Sequence, residues 1–567
     1  AARATADDWP TFRHDIARSG WTAEDVGPPL HLRWAFRQAW APERIWSPPR
    51  DEAVEGNWEK DRVGFDAANQ VAVVGDAVFM GSSGDSKVYC LDAGTGRVRW
   101  KFLAGAPVRL APTVTDGRVY FGSDDGYAYC LSADDGSLLW SVAAGPGDDR
   151  LIGGGRMVSR WPVRTGVLVD DGVAYFAAGV FPYDGIYVCA VSAEDGRLLW
   201  RNDTTPIAAE RGLSGGPGGT ELSPQGYLLA SESRLFVPSG RALPAAFNRE
   251  DGGKLFQSRD SWRSSGLVGG TFAVLAADHI LVGANQAVGY DQQTGRGGFA
   301  WFPCRRIVVA DDAAYTTTDA VPTETSGSAL EAEVKRVSFE DYAEATRNKQ
   351  AAKREISNLT SRRSTVQSTL NAEKARPEDE QNAERIDELT AQIEQIAQEI
   401  EAAQERLDEI SNEALKAQVE WETPTTCASS LILAGNTVFA GGEGLVAGYD
   451  AATGEERWQA ELEGEAHGLA VAGGALYVST DAGVLYCFAP GEGEAGPMVE
   501  QQAGGADFGT SDAQARIYRD AAERIVASSG AKRGFCLVAG VETGRLAYEL
   551  ARRTDMINAA EGRKMTL

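Results

Sequence analysis

Two tripeptides raise the first chemical question. Pro107-Val108-Arg109 and Pro162-Val163-Arg164 put an arginine in the same slot of two similar segments, each ahead of an apolar run. Asn69, Gln70, Gln225, Arg305, Arg306 and His467 fall at or next to the equivalent slot in other segments. Guanidinium groups offer planar forks of donors that match carboxylates and phosphates. Four arginines and one histidine in equivalent slots, on a chain of net charge -26, are an uneven distribution. They predict a concave, polar mouth suited to an anionic small molecule, a peptide carboxylate or a sugar acid. The alternative is that they pair with turn aspartates or neighbouring carbonyls. A glycine run, Gly153-Gly154-Gly155, leads into Arg160 and Trp161 shortly before Arg164. It predicts either a rim or lid over the mouth or a plain edge insertion.

Other chemistries lack their residues. His14, His31, His279 and His467 are scattered and make no zinc spacing. The seven cysteines form no CxxC, and an odd number leaves at least one unpaired within the chain. Cys90, Cys130 and Cys487 each follow a tyrosine at the same place in a repeated unit, as small buried hydrophobes do. Asp124-Asp125 and Asp170-Asp171 fall at turns, where Asx geometry accounts for them. No metal site and no catalytic residue are expected.

The elements that must position these residues repeat. Residues 88–100, 128–140 and 191–200 each run from an apolar strand through a D-G or T-G turn to a strand ending in Trp100, Trp140 or Trp200. The unit returns before Trp301 and before Trp458, and Trp421 and Trp34 end related strands. The turn needs glycine because its backbone goes to positive φ. An upstream hairpin precedes each unit, and eight such hairpins end near Phe79, Tyr120, Tyr175, Phe236, Val282, Tyr315, Phe439 and Tyr477. Repeats of this length with about four strands each are propeller blades. The last unit has no closing Trp of its own. The N-terminal strand around Trp34 is expected to complete it and fasten the ring. The aromatic arm from Asp7 to His14 is expected on the ring surface.

Between Tyr315 and Trp421 glycine gives way to Glu, Gln, Ala and Lys. Ile386, Leu389, Ile393, Ile396, Ile400, Ala403, Leu407, Ile410, Ala414 and Ala417 alternate spacings of three and four. A partner seam runs through Tyr342, Ala345, Ala352, Ile356, Leu359, Val366 and Leu370, and Pro377 separates the two. That pattern predicts an antiparallel helical hairpin, a coiled coil inserted in the sixth blade, with two arms of nearly equal length, each roughly 55 Å. It could be a tolerated loop, but a projecting arm of this kind suits a protein partner or self-association.

Length and composition agree. The chain has 567 residues, 43% of them hydrophobic and 24% charged, so a large core can form. Its 64 glycines and 14 tryptophans suit tight turns around aromatic anchors. Net charge of -26 disfavours nucleic acid as a partner. No apolar run is long enough to span a membrane. The chain begins Ala1-Ala2-Arg3 without methionine, which fits removal of an export leader and a periplasmic or secreted location.

The A-x-D-G-x-L-x-W and D-A-x-T-G-x-x-x-W phrases resemble the PQQ-like β-propeller repeat family. That family includes quinoprotein alcohol dehydrogenases and the lipoprotein of outer-membrane protein assembly. The resemblance spans roughly residues 60–300 and 427–490. It implies that Trp34, Trp100, Trp140, Trp200, Trp301, Trp421 and Trp458 dock between neighbouring blades. Quinoprotein dehydrogenases use an adjacent Cys-Cys pair, an acidic calcium set and a catalytic Asp. This chain has no adjacent cysteines, and no recognisable acidic set, so no cofactor is expected and the reading leans against an enzyme. Residues 535–550 resemble the glycine-rich first motif of S-adenosylmethionine-dependent methyltransferases, with Gly540 and Gly544 matching. Too few residues follow for a doubly wound sheet. Either the native chain continues beyond Leu567, or this is a relic βα unit.

The expected organisation is an N-terminal arm and closing strand (1–52), blades one to six (53–330), the helical hairpin (331–420), the remaining blades (421–490), a linker (491–510) and a small α/β segment (511–567). The fold expected is mainly β, an eight-bladed propeller. Its expected function is a non-catalytic scaffold for protein interaction or self-assembly. The alternatives are an exported protein holding an anionic small molecule or a redox group at the channel mouth, and the N-terminal part of a methyltransferase-like protein.

Overall fold

The structure, a computed structural model, describes residues 8–46, 64–154, 156–203, 222–240, 244–257, 272–283, 286–318, 332–491, 493–501, 513–539 and 544–561. It is mainly β. Six four-stranded antiparallel sheets follow one another along the chain, beginning with Val71–Val74, Ala77–Ser82, Lys87–Asp92 and Val98–Leu103. A larger sheet has eight strands. Two of its members are long because they fold over. Thr437–Asp450 doubles back at Gly444, φ +70°, so that Gly448 faces Phe439. Glu456–Ala472 pairs first with residues 445–449 and then with residues 475–480.

Leu30–Arg37 completes this sheet beside Val484–Pro490, so the N-terminal strand joins the last strands of the repeat. Met498–Glu500 pairs parallel with residues 35–37. The segment expected as a linker therefore contributes an edge strand, which covers backbone groups that the closing strand leaves open.

The core lies between neighbouring sheets. Phe79 and Val88 of the first sheet pack with Val119 and Phe121 of the second, and the same arrangement recurs around the chain. Six indoles fasten junctions between neighbouring sets of strands. Trp100 Nε1 donates to Ala133 O at 2.9 Å, and its ring lies against Gly136, φ +71°, where a Cβ would stand 2.5 Å from Cε3. Trp34 reaches Ala93 O, Trp140 reaches Ala193 O, Trp200 reaches Arg249 O, Trp421 reaches Ala451 O and Trp458 reaches Leu30 O. The glycine turn leaves the space that the indole fills. Between the fourth and fifth sheets Phe256 takes the same place, against Gly295.

Trp301 departs from the expected role. The next sheet has no glycine turn between its third and fourth strands, Glu333–Ser338 and Val419–Pro424, because two helices stand there instead. Helix α1, Phe339–Lys374, covers the Trp301 strand. Thr346 Oγ1 accepts from Trp301 N, Arg354 lies over the indole, and Phe302 stacks on Phe339 and Tyr342.

Helix α2, Ala383–Glu409, returns along α1. Arg406 holds the Glu355 carboxylate with two contacts of 2.7 Å. Leu389, Ile396 and Ala403, seven residues apart, are buried, as are Ala352 and Leu370 of α1, while Arg363 is exposed. The arms are nearly equal: α1 has 36 residues, and α2, 27 residues long, is prolonged through residues 410–417. A π-helical turn, Ile410–Ala414, interrupts the second arm before a last helical turn, Leu415–Ala417, returns the chain to the sheet. Such a turn absorbs one extra residue and re-aims the chain.

The C-terminal segment holds helix α3, Ala513–Ser529, a short helix α4, Arg545–Ala551, and two parallel strands, Arg533–Ala539 and Asp555–Glu561.

Candidate functional site

Arg109 and Arg164 do come together, on one buried carboxylate. Asp124 Oδ2 accepts from Arg109 Nε at 2.7 Å, and Asp124 Oδ1 from Arg164 Nε at 2.8 Å. The two arginines are only 6% and 5% exposed, and Asp124 is 1% exposed. Burial opposes ionisation of Asp124, but Arg164 and Arg109 outweigh it and hold the carboxyl below its ordinary value. Arg109 also reaches Asp66 Oδ2 at 3.0 Å. Burial pushes Asp66 up, against the pull of Arg109. Both arginines precede inner strands, and their pairing with Asp124 is the turn-aspartate alternative that the sequence left open.

A strap spans the arginines. After the closing strand the chain runs through residues 38–46 and touches sheet after sheet. Glu43 N donates to Ser83 Oγ and Glu43 O accepts from Arg109 at 2.6 Å. The Glu43 carboxylate takes two hydrogen bonds of 2.7 Å from Arg156. Ile45 N donates to Asp66 and Trp46 Nε1 to Gln225 Oε1, at 2.8 and 2.5 Å. On the opposite side Arg44 lies 3.3 Å from His467 Nε2 and 3.8 Å from Asp481. Asn69 donates to Gln38 Oε1, the first residue of the strap. Sequence reasoning missed the strap because its contacts have no periodicity.

The remaining residues sit as follows. His467 and Arg305 both face Glu465, at 3.2 and 3.7 Å. Hydrogen bonding from His467 holds the Glu465 carboxyl at about 2. Glu465, His467 and Asp481 lie close enough to share a cation. Arg44 and Arg305 already supply positive charge there, so the cluster reads as ion pairing. Arg306 faces away, over the Phe272 ring that Arg13 also covers. Arg160 pairs with Asp184 and lies over Trp161, whose Nε1 donates to Asp184 O. They brace the base of a hairpin, Arg150–Gly153 with Arg156–Ser159, whose Arg156 is the residue that grips the strap. The expected open cationic funnel is therefore corrected: carboxylates and the strap meet these cations.

The aromatic arm is also corrected. It does not lie on the surface but runs along the inner strands. Trp9 pairs with Val73, Pro10 O accepts from Val114 N, Ile16 O from Ala230 N and Ala17 O from Leu275 N. Trp21–Thr22 pairs parallel with residues 433–434. Arg13, 6% exposed, donates to Ile307 O, Leu431 O, Arg18 O and Ser19 O. Arg18, 2% exposed, donates to Leu228 O. The arm thus bonds to the inner strands of the first, second, fourth, fifth and sixth sheets and of the eight-stranded sheet, and its Phe12 packs against the cluster of Leu110, Ala111 and Tyr227. Inner strands expose backbone groups toward the axis, and the arm supplies their partners.

The cysteines offer no nucleophile in the ring. Cys90, Cys189, Cys304 and Cys487 are buried thiols pushed up to about 12. Gly540 lies outside the described residues. Gly544, φ +69°, precedes a helix of seven residues. The C-terminal sheet has two strands among the described residues.

A family profile described as "Outer membrane protein assembly factor BamB" matches residues 32–185 and 396–496. The chain carries PQQ-like propeller repeats. Among solved structures it is similar to a quinohemoprotein alcohol dehydrogenase from Comamonas testosteroni, at 14% identity and a TM-score of 0.52, covering 92% of this chain and 85% of that one. A quinohemoprotein alcohol dehydrogenase from Pseudomonas putida HK5 gives 13% and 0.50 over the same shares. BamB from Moraxella catarrhalis gives 12% and 0.42, covering 75% of this chain and 95% of that one. At these identities the likeness is one of fold. No curated protein matches the chain. The mouth residues do not fit a quinone: Arg109 and Arg164 are committed to Asp124, the strap lies over them, and the chain has no adjacent cysteines.

Proposed function

We propose that this protein is a non-catalytic PQQ-like propeller scaffold that assembles with a protein partner or with itself. In this reading the ring has eight blades. The six four-stranded sheets are six of them, and the folded-over strands divide the eight-stranded sheet into two more. The paired helices are an antiparallel coiled coil projecting from the sixth blade, and they form the principal contact arm.

One observation carries the reading. The chain's own segments occupy the middle of the ring: the arm at residues 8–22 bonds to the inner strands, and the strap at residues 38–46 spans the Arg109 side. With the strap in place, the surfaces open to recognition are outward-facing, the ring faces and the helices. The described residues contain no helix long and apolar enough to cross a membrane. A periplasmic or secreted location fits the resemblance to an outer-membrane protein assembly factor.

The test is sedimentation of the full chain, alone and with proteins from its own source, against a variant lacking residues 341–416 bridged by a short Gly/Ser turn. The scaffold reading predicts a larger species that the deletion dissolves. An assembly unchanged by the deletion, or a full chain that stays monomeric under both conditions, contradicts it.

A further inference from the structure

We propose that the Arg109 mouth of the ring is a docking groove for an extended peptide of a partner protein, one carrying a carboxylate side chain and, three residues on, an aromatic ring. The chain's own strap is the occupant seen in the structure. This inference rests on the scaffold reading and deepens it by naming a surface and the chemistry of its partner.

The strap is held as a ligand peptide is held. Its backbone is read at two neighbouring points, Glu43 N and O by Ser83 and Arg109, and Ile45 N by Asp66. Its side chains are read at two others: the Glu43 carboxylate by the Arg156 fork, and the Trp46 indole by Gln225. Bidentate pairing of this kind supplies geometric specificity.

Several receptor groups are also held by contacts that do not involve the strap. Asp124 fixes Arg109, Arg109 reaches Asp66, and Ser223 Oγ accepts from Gln225 Nε2. Preorganisation lowers the ordering cost of binding. The buried Asp66 Oδ1 has no hydrogen-bond partner among the described residues, so the groove keeps an acceptor that the strap does not use.

The strap itself is lightly held. The Glu43 side chain is 48% exposed and Arg156 29%. Trp40 is 55% exposed and Trp46 36%. Exposed pairs of this kind contribute little to stability. A segment with specific contacts but little burial is suited to exchange with a competitor.

The experiment uses a fluorescently labelled peptide of residues 39–46 and the full chain, unsubstituted and with Glu43→Ala plus Trp46→Ala. Anisotropy should show the substituted chain binding about tenfold more tightly or better, because a strap that is mostly closed lowers apparent affinity by the open fraction. A peptide lacking the same carboxylate and indole should not bind. If the substituted chain melts like the unsubstituted one and binds neither peptide, or both alike, the groove is not a docking site. Hydrogen exchange on the unsubstituted chain gives a second readout. The amides of Glu43 and Ile45 should exchange well before those of Leu30–Arg37. Equal protection would make the strap a fixed part of the ring and overturn the proposal. Neither readout involves the paired helices, so failure here is distinct from failure of the scaffold reading.

Discussion

A single glycine decides how two sheets meet. Gly136 sits at φ +71° beneath Trp100, with no room for a Cβ. Gly136→Ala combines backbone strain with a clash against a packed indole, so we expect a loss of about 2–4 kcal/mol in urea unfolding. A loss under about 0.5 kcal/mol would mean that the junction is looser than its geometry. Arg13 is a harder case. Its fork serves four carbonyls, and Arg13→Lys keeps the charge but not the fork. The lysine variant should destabilise by about 2 kcal/mol or more, since buried acceptors are left unpaired. A lysine variant that melts like the parent would contradict the role of the fork. Glu465 gives a pH dependence with a definite sign. Its carboxyl is at about 2 in the folded chain against 4.5 when free. Its contribution is therefore complete above about 4.5 and is lost as pH falls toward about 2. Glu465→Gln should cost stability at pH 7 and much less at pH 3. The same cost at both values would show that ionisation is irrelevant there. At this scale the D-G and T-G turns marked which indoles have glycine partners. They could not mark Phe256, which fills the same place without being Trp. They also could not mark Asp66 or Asp124, because an aspartate at a turn looks the same whether it caps the turn or binds a guanidinium.

Elements explain where the pattern bends. The helices replace the turn between the third and fourth strands of one sheet, and this takes away the glycine that Trp301 would have met. Tyr342, Phe339 and Thr346 take over that cover. A deletion must therefore stop short of Val419–Pro424, since Trp421 of that strand docks on Ala451. Removing residues 341–416 should leave cooperative unfolding intact but lower Tm by several degrees, because the Trp301 strand loses its aromatic cover. Loss of cooperativity in calorimetry would mean that the helices are integral to the ring. Heptad spacing made the helices legible, since Leu389, Ile396 and Ala403 carry both the spacing and the burial. The near-equal arms were legible as well, but the interruption in the second was not. A π-helical turn changes register without changing composition.

The whole molecule is a mainly β assembly of repeated sheets whose inner strands and Arg109 mouth are covered by its own N-terminal residues. The repeat could be read from the sequence because strand, glycine turn and tryptophan recur at fixed offsets. The arm and strap could not, because each touches a different sheet through backbone groups and side chains of unlike type. The arm and strap weigh against a cationic mouth open to small molecules. The measurement that tests this most directly is native mass spectrometry of protein from its source, followed by denaturing intact mass. We predict a native mass raised by whole protein subunits, with no small mass lost on denaturation. A loss of a few hundred daltons on denaturation, from an otherwise monomeric chain, would put a ligand in the ring and contradict the scaffold account.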